Sequence, residues 1–539
     1  MSRIIFGDEN AKNDPFLGDC VVQLPAGVND MPVLEGRWGV GKTATFFIRH
    51  RALMDQLSKI SPEFRHIWYL DEGGLDTDTL YYLSQHYASN HGILKRALIK
   101  LWRAEIVRVH ARQLNVLHGY YGRPRGVHWD TVRAQGISSK YLTPVWSGLS
   151  KLIPATGTNI GSAITNAIST VTDQFDQQIE RAVQACLKDI EEDPIQPVVV
   201  IEPIETPSSA LEETDIPLSR MVMVSLLDLF ILQLSYSPFN DQRMRVQISV
   251  PWHRDVVDHL SQPQKRAEFF GDFTWTKEML RDFINRRIEK EFEIAKRHFR
   301  PRRGEDAWST LFTDKVRNLW CGIDEDSFDY FVRHTHHRTR DLLRLTRSAV
   351  MAQVDILKEQ GVNEASDFHV FRSSYHSKIS PTAIRKGVED GLKFSAVDRL
   401  TEAKRRFPKI GAVIDQLYGL SNPIELESLK SRISGPKSDA DEVLLELWEG
   451  GIIGVQIFPG ESNLEILEKN LGLEAIVPYI LPNKKRRKKY FLFEYNSNRS
   501  LAQVTTMFSN HGSKLKAVIH PVFTEYFGCA ASREYPIGI

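Results

Sequence analysis

A chain of 539 residues is too long for one hydrophobic core and predicts three or four folded units. Its composition, 42% hydrophobic and 25% charged, is that of an ordinary globular protein. The net charge of +1 excludes a global field that would draw the whole chain onto nucleic acid or an acidic membrane, so any such binding must be local.

Residues 1–30 read as an entry segment with the turn-rich run Gly7-Asp8-Glu9-Asn10. Residues 31–35 are a short β-leaning run, weakened by Pro32, and they lead into Gly36-Arg37-Trp38-Gly39-Val40-Gly41-Lys42-Thr43. That run is a complete G-x-x-x-x-G-K-[ST] loop, the Walker A pattern. Its glycines let successive backbone N–H groups curl around an anionic phosphate. Lys42 is expected to reach the β- and γ-phosphates of ATP, and the Thr43 hydroxyl to ligate Mg²⁺. The expected cofactor contacts run through the whole loop into Ala44. Residues 43–57 contain no Gly or Pro and place Phe46, Phe47, Ala52, Leu53 and Leu57 roughly at helical spacing, which predicts a helix.

Ile67-Trp68-Tyr69-Leu70 predicts a second strand, and residues 79–120 a helical stretch. Residues 144–170, rich in Ser, Thr, Gly and Ala, read as a closely packing small-residue helix or a mobile loop. Residues 175–189 predict an amphipathic helix. Val198-Val199-Val200-Ile201 is a continuous β-branched run between Pro197 and Pro203, as in a central parallel strand buried on both faces. Residues 221–234 are the most apolar stretch; they include Asp228, are too short to span a bilayer, and read as a buried helix. Residues 244–250 predict another strand. Strands alternating with helices imply an α/β sheet. Residues 275–350 read as helical throughout, residues 380–450 as mostly helical, and residues 454–495 as β-rich.

A phosphate loop of this kind needs an acid at the end of a neighbouring strand to hold Mg²⁺ or its water. Two positions compete. Asp71 follows residues 67–70, but only one helix and one strand fit between Lys42 and Asp71. Glu202, with Glu205 three residues on, follows the better central strand, and it is favoured with Asp71 as the alternative. A Glu stands there where Asp is usual. Past the strand at 244–250, Pro251-Trp252-His253-Arg254-Asp255 resembles the sensor 1 region of AAA+-related ATPases. Arg254 is the candidate there, because its planar fork binds phosphate bidentately. Arg338-Thr339-Arg340-Asp341 opens an amphipathic helix that looks like the AAA+ lid helix, with Arg340 matching the sensor 2 arginine. His334, His336 and His337 lie on several faces of one short segment, a poor arrangement for a metal. The four cysteines, Cys20, Cys186, Cys321 and Cys529, form no C-x-x-C pair, which fits a reducing, cytoplasmic compartment. No signal peptide or membrane span is expected.

In their order, these segments resemble the bacterial STAND-like P-loop ATPases, distantly related to AAA+, origin-recognition and KAP-type NTPases. The likeness rests on Phe6-Gly7, the loop at 36–43, the acidic strand at 198–205, the strand before residues 252–255, Phe273-Thr274-Trp275, Asn285-Arg286-Arg287-Ile288, residues 338–343 and Ile519-His520-Pro521-Val522-Phe523. It implies an α/β P-loop NTPase core at 1–260 with a helical insertion at about 79–190. A helical lid at 261–365 and a C-terminal helical and winged-helix-like region at 366–539 would follow. It also implies an ATP-dependent switch that forms homo-oligomers, engages an effector protein and serves bacterial antiphage defence.

On that plan, residues 423–429 and 440–448 are two helices of the winged-helix region, followed by strands at 454–458 and 490–495. Between those strands lies the basic run Lys484-Lys485-Arg486-Arg487-Lys488-Lys489, which on a wing would meet nucleic-acid phosphates without reading bases. The leading expectation is an ATP-binding and ATP-hydrolysing switch. In it Lys42 and Thr43 hold phosphate and metal, Glu202 or Glu205 polarises water, and Arg254 and Arg340 sense charge. The alternatives are a catalytically weak ATP-dependent scaffold and a DNA-binding ATPase of the origin-recognition type.

Overall fold

The structure is a computed structural model that describes residues 5–9, 11, 14–17, 28, 31–36, 39–60, 91–136, 177–201, 221, 223–229, 246–250, 260, 269–295, 304–318, 323–363, 365–366, 369–370, 378–434, 439–458, 479–480, 488–493, 501–509 and 514–529. The chain divides into two compact units, one formed by residues 24–274 and the other by residues 1–23 together with 275–539.

Unit 24–274 is built on a four-stranded sheet of β1 (Val33–Glu35), β2 (Val199–Ile201), β3 (Val246–Val250) and β4 (Phe270–Asp272). The order is β2-β3-β1-β4 and every pairing is parallel. Val33 is in register with Ile248 and Phe270, and Ile201 with Ile248. β1 and β2 are buried at every position; β2 is a continuous apolar run, as a strand covered on both faces should be, whereas β1 ends on the buried Glu35. After β1 the chain turns into α1 (Lys42–Arg49) and α2 (Arg51–Ile60). The single helix expected over 43–57 is therefore broken at His50, although no Gly or Pro stands there.

The helical insertion holds α3 (His91–Leu117), α4 (Val127–Gly136) and α5 (Gln177–Asp189). They share a core that includes Ala111, Leu114, Trp129, Val183 and Leu187. Gln113 Nε2 ties this bundle to the sheet, donating to the carbonyl of Val198 at 2.7 Å. The apolar stretch expected as a buried helix is helical at residues 221 and 223–229. Its Asp228 is fully buried and forms an ion pair with Lys95, which answers the cost of taking a carboxylate out of water.

The other unit begins its C-terminal part with α6 (Lys277–Ile294) and α7 (Ala307–Leu311). An antiparallel hairpin follows, β5 (Lys315–Asn318) with β6 (Ile323–Asp326), so residues 275–350 are not helical throughout. β5 alternates exposed and buried residues, the period of a half-buried strand. Then come α8 (Ser327–Val332), α9 (Thr339–Glu359) and α10 (Pro381–Arg406). α9 and α10 pack antiparallel. Arg338 pairs with Glu402 at 2.8 Å, Asp341 with Arg399, and Arg344 with Asp398 at 2.7 Å. Gly387 is required in this crossing, since a Cβ there would run into the backbone of Ala349.

α11 (Pro408–Val413) leads to β7 (Ile424–Glu425), α12 (Leu426–Ile433), α13 (Ala440–Glu449), β8 (Ile453–Phe458), β9 (Tyr479–Ile480), β10 (Lys488–Leu492), α14 (Leu501–Ser509), β11 (Lys514–Ile519) and α15 (Pro521–Thr524). The strands form an antiparallel sheet in the order β7-β11-β8-β10-β9. Two expectations need correction here. Ile424 and Glu425 are strand rather than helix, because β11 pairs with them. Lys488 and Lys489 belong to β10, opposite Ile480 and Tyr479, and not to a turn between strands. The rest of the basic run, Lys484, Lys485, Arg486 and Arg487, lies outside the described residues.

The first residues of the chain fold onto α6 and α9. Glu291 accepts from the Phe6 N–H at 2.8 Å, and Arg287 donates to the Phe6 carbonyl at 2.7 Å. Arg347 reaches the carbonyls of Ile5 and Gly7, and Arg344 pairs with Glu9 at 2.8 Å. Phe6 and Gly7 both have positive φ, 60° and 81°. Gly7 is needed because a Cβ would overlap Asp14 and Arg287. Among the described residues, no helix is long and apolar enough to cross a membrane.

Candidate phosphate-binding site

The glycine loop leaves the sheet at the carboxyl end of β1. Glu35 is the last strand residue, 2% exposed, in register with Val250 on one side and Asp272 on the other. The Gly36 N–H donates to the carbonyl of Val250 at 3.2 Å, and the Phe273 N–H to that of Glu35 at 2.7 Å. The loop therefore starts from a backbone fixed on both sides. A Cβ on Gly36 would stand 2.9 Å from Phe273 Cβ and 3.2 Å from both the Phe273 carbonyl oxygen and Val40 Cγ2, so only glycine fits without a shift.

Gly39 and Gly41 have φ of 80° and 103°, conformations that side chains rarely adopt. Gly41 then caps α1 without a side-chain hydrogen bond, and its carbonyl accepts from the Thr45 N–H at 3.0 Å and the Thr45 hydroxyl at 3.1 Å. The first turn of α1 carries no acidic residue. Its N–H groups have no carbonyl four residues back within the helix, and the helix dipole places positive potential at that end. Lys42, the first helical residue, is 6% exposed, and its Nζ donates to the carbonyl of Gly36, spanning the loop from end to start. Thr43 and Ala44 are half-buried beside it. At the far end of α1, Arg49 donates to the carbonyls of Met31, at 3.0 Å, and Val28. These bonds fasten the helix to the chain that enters β1.

The chemistry of these residues would suit an anionic polyphosphate. Two glycines hold left-handed backbone, a third leaves no room for a Cβ, and a buried ammonium group lies over the loop at a helix N-terminus. Gly36, Gly39, Val40, Gly41, Lys42, Thr43 and Ala44 are thus brought together. Arg37, Trp38, Asp71, Glu202, Glu205 and Arg254 lie outside the described residues. In the chain, Glu202 directly follows Ile201, the last residue of β2, and β2 is separated from β1 by β3.

Arg340 belongs to the other unit, as the second residue of α9. Burial pulls its guanidinium below the ordinary arginine range, helped by the charges of Arg338 and Arg344 and opposed by Glu9 and Glu402. Nearby, His334 is fully buried with Nδ1 2.6 Å from the Tyr330 carbonyl, and burial holds its pKa well down. Among the described residues, no group of three His, Cys, Asp or Glu side chains could hold a metal.

Three residues of this region were not singled out from sequence for the parts they play. Glu35 reads as an ordinary strand residue until its burial is known. Phe273 had no role beyond its place in a motif, yet it packs on Gly36. Arg49 looks like a solvated helix cation and instead binds two carbonyls. No known family model, curated protein or solved structure matches this chain.

Proposed function

We propose that the chain is an ATP-binding, ATP-hydrolysing switch, a P-loop NTPase of AAA+ and STAND-like architecture. One observation carries the reading: the loop of residues 36–43 joins β1 of a parallel sheet to the N-terminus of α1, with Lys42 buried over it. Such a loop suits phosphate because N–H groups, helix dipole and ammonium converge where water is largely excluded. Lys42 would neutralise the terminal phosphates and Thr43 would hold Mg²⁺, which would supply further charge neutralisation when bound. Glu202, at the end of β2, would orient the attacking water, with Glu205 and Asp71 as the other acids considered. Arg254 and Arg340 would respond to the γ-phosphate charge. Self-assembly, an effector protein and a setting in bacterial defence complete the proposal, on the strength of the family resemblance.

A DNA-loading role is the weaker reading. Helix α13, which would be the recognition helix on a winged-helix plan, exposes Asp441 and Glu442, paired with Lys430 and Lys409, and half-exposes Glu446 and Glu449. Those carboxylates would repel a phosphate backbone.

Titration calorimetry with MgATP tests the proposal. Lys42→Ala should lower affinity by at least about tenfold, on the order of 1.4 kcal/mol. Unchanged affinity would overturn the assignment of the loop, and the absence of phosphate release from a wild type that binds ATP would leave a nucleotide-dependent scaffold.

A further inference from the structure

We propose that the loop joining α3 to α4, residues 118–126, binds a single-stranded nucleic acid, with Arg123 and Arg125 on its phosphates and Tyr120 stacking on a base. The loop lies wholly within the unit of residues 24–274, and the proposal does not depend on ATP binding.

The loop is held in place. The Arg123 N–H donates to the carbonyl of His118 at 3.1 Å, and the Tyr120 N–H to that of Leu117 at 2.9 Å. His118 Nε2 lies 3.1 Å from the Pro124 carbonyl, which can only accept, so Nε2 carries the proton. The His118 ring meets Trp129 of α4 with centroids 5.8 Å apart. Trp129 is 1% exposed and donates to Asp189 of α5 at 3.0 Å. The Tyr121 hydroxyl donates to the carbonyl of Ile195 at 2.8 Å. A partner therefore meets a surface that is already ordered, which lowers the entropy cost of binding.

Within this frame one residue is strained. Arg123 has φ of 56°, a left-handed conformation that a Cβ disfavours and glycine adopts freely. Glycine takes the other such positions of the loop, Gly122 at 72° and Gly126 at 140°. An arginine kept where glycine would be relaxed points to a use for its side chain. No internal contact offsets the strain. Arg123 and Arg125 are both exposed, and among the described residues neither side chain makes an ion pair or hydrogen bond.

The surroundings suit an anion. Between Leu117 and Trp129 the chain carries no acid. Asp130 stands in the first turn of α4, where it answers the helix dipole. Asp193 faces Tyr120 and accepts from the Ile195 N–H at 2.9 Å. A Cβ on Gly119, Gly122 or Gly126 would meet nothing within 4 Å, so the surface about the arginines is open. Guanidinium forks bind carboxylates as well as phosphates. The aromatic residue favours nucleic acid: Tyr120 is partly exposed on the same turn, and a base can stack on its ring while the forks hold the backbone. An acidic peptide would use the forks and leave the ring idle.

The test is fluorescence anisotropy of the full chain with labelled single-stranded DNA and RNA across a salt series, with polyglutamate as competitor. The double variant Arg123→Gly with Arg125→Gln should weaken binding of single strands by about tenfold or more at low salt. It should also flatten the slope of log affinity against log salt by about 1.4, the share of two phosphate contacts. Tyr120→Ala should lower affinity about fivefold or more, and Tyr120→Phe, which keeps the ring, should not. Arg123→Gly alone should not lower the melting temperature, because glycine relieves the strained turn. A lower melting temperature would overturn the proposal, since the arginine would then be held by contacts inside the fold. A wild type that binds neither single strand at low salt would overturn it, and so would binding that the double variant leaves unchanged. Polyglutamate binding that the double variant abolishes, without nucleic-acid binding, would make the loop a docking site for an acidic protein instead.

Discussion

Arg287 and Asp14 stand 273 residues apart in the chain and form an ion pair at 2.5 Å, with side chains only 4% and 1% exposed. Asp14 also accepts from the N–H groups of Asp8 at 3.1 Å and Phe16 at 3.0 Å, so one carboxylate organises the whole N-terminal turn and docks it on α6. Leaving either charge buried without the other is costly. Asp14→Ala should destabilise the unit that contains α6 by about 3–5 kcal/mol. The double variant Asp14→Leu with Arg287→Met should lose less than either single removal, because no buried charge remains. Urea unfolding measures both, and a loss for Asp14→Ala within about 0.5 kcal/mol, the range of ordinary surface changes, would refute the buried clamp.

Glu202→Gln should leave ATP binding intact and slow phosphate release, while Asp71→Asn should do less. The reason lies in the sheet. β3 lies between β2 and β1, all three run parallel, and Glu202 is the next residue in the chain after Ile201, the last of β2. Phosphate-release assays on the two variants decide it. A silent Glu202→Gln beside an inactive Asp71→Asn would reverse the assignment.

Asp306 gives a pH signature. Burial raises its pKa, but hydrogen bonds from Arg281, Ser309 and Asn285 outweigh burial and hold the carboxyl well below its usual range. It caps α7 through the Ser309 N–H at 2.8 Å and binds Arg281 at 2.7 Å. A depressed pKa in the folded state means the contribution is fully present above the ordinary aspartate value, about 3.9, and is lost as pH falls toward the folded value. Asp306→Asn should therefore be less stable than wild type near neutrality, with the gap closing as pH falls below about 4. Thermal melts at several pH values check this. A gap that does not change with pH would show that the cap works without its charge.

Much of the candidate site was legible because its causes are local. Gly36, Gly39, Gly41 and Lys42 carry their conformational and charge preferences wherever the chain puts them, and the spacing on a strand–turn–helix brings them together. The buried strand at Val199–Ile201 and the buried helix around Asp228 were legible for the same reason: continuous apolar runs must be covered. Less was legible where pairing decides. The hairpin of β5 and β6 interrupts a stretch that reads as helix, although Lys315-Val316-Arg317-Asn318 alternates with the period of a strand. Lys488 and Lys489 look like part of a solvated basic turn until β9 and β8 extend β10 through pairing on its two sides.

By itself, then, the sequence determined the glycine loop, a helical start directly after it and the apolar strands at Val199–Ile201 and Val246–Val250, all governed by residues within a turn or two of one another. Only the tertiary structure decided the order β2-β3-β1-β4, the packing of Phe273 on Gly36, and the clamp of Asp14 by Arg287. It also decided that residues 1–23 join the unit of residues 275–539. Each of these joins residues far apart in the chain, and no local preference encodes a partner hundreds of residues away. Burial, close packing and charge pairing select such partners once the whole chain has folded.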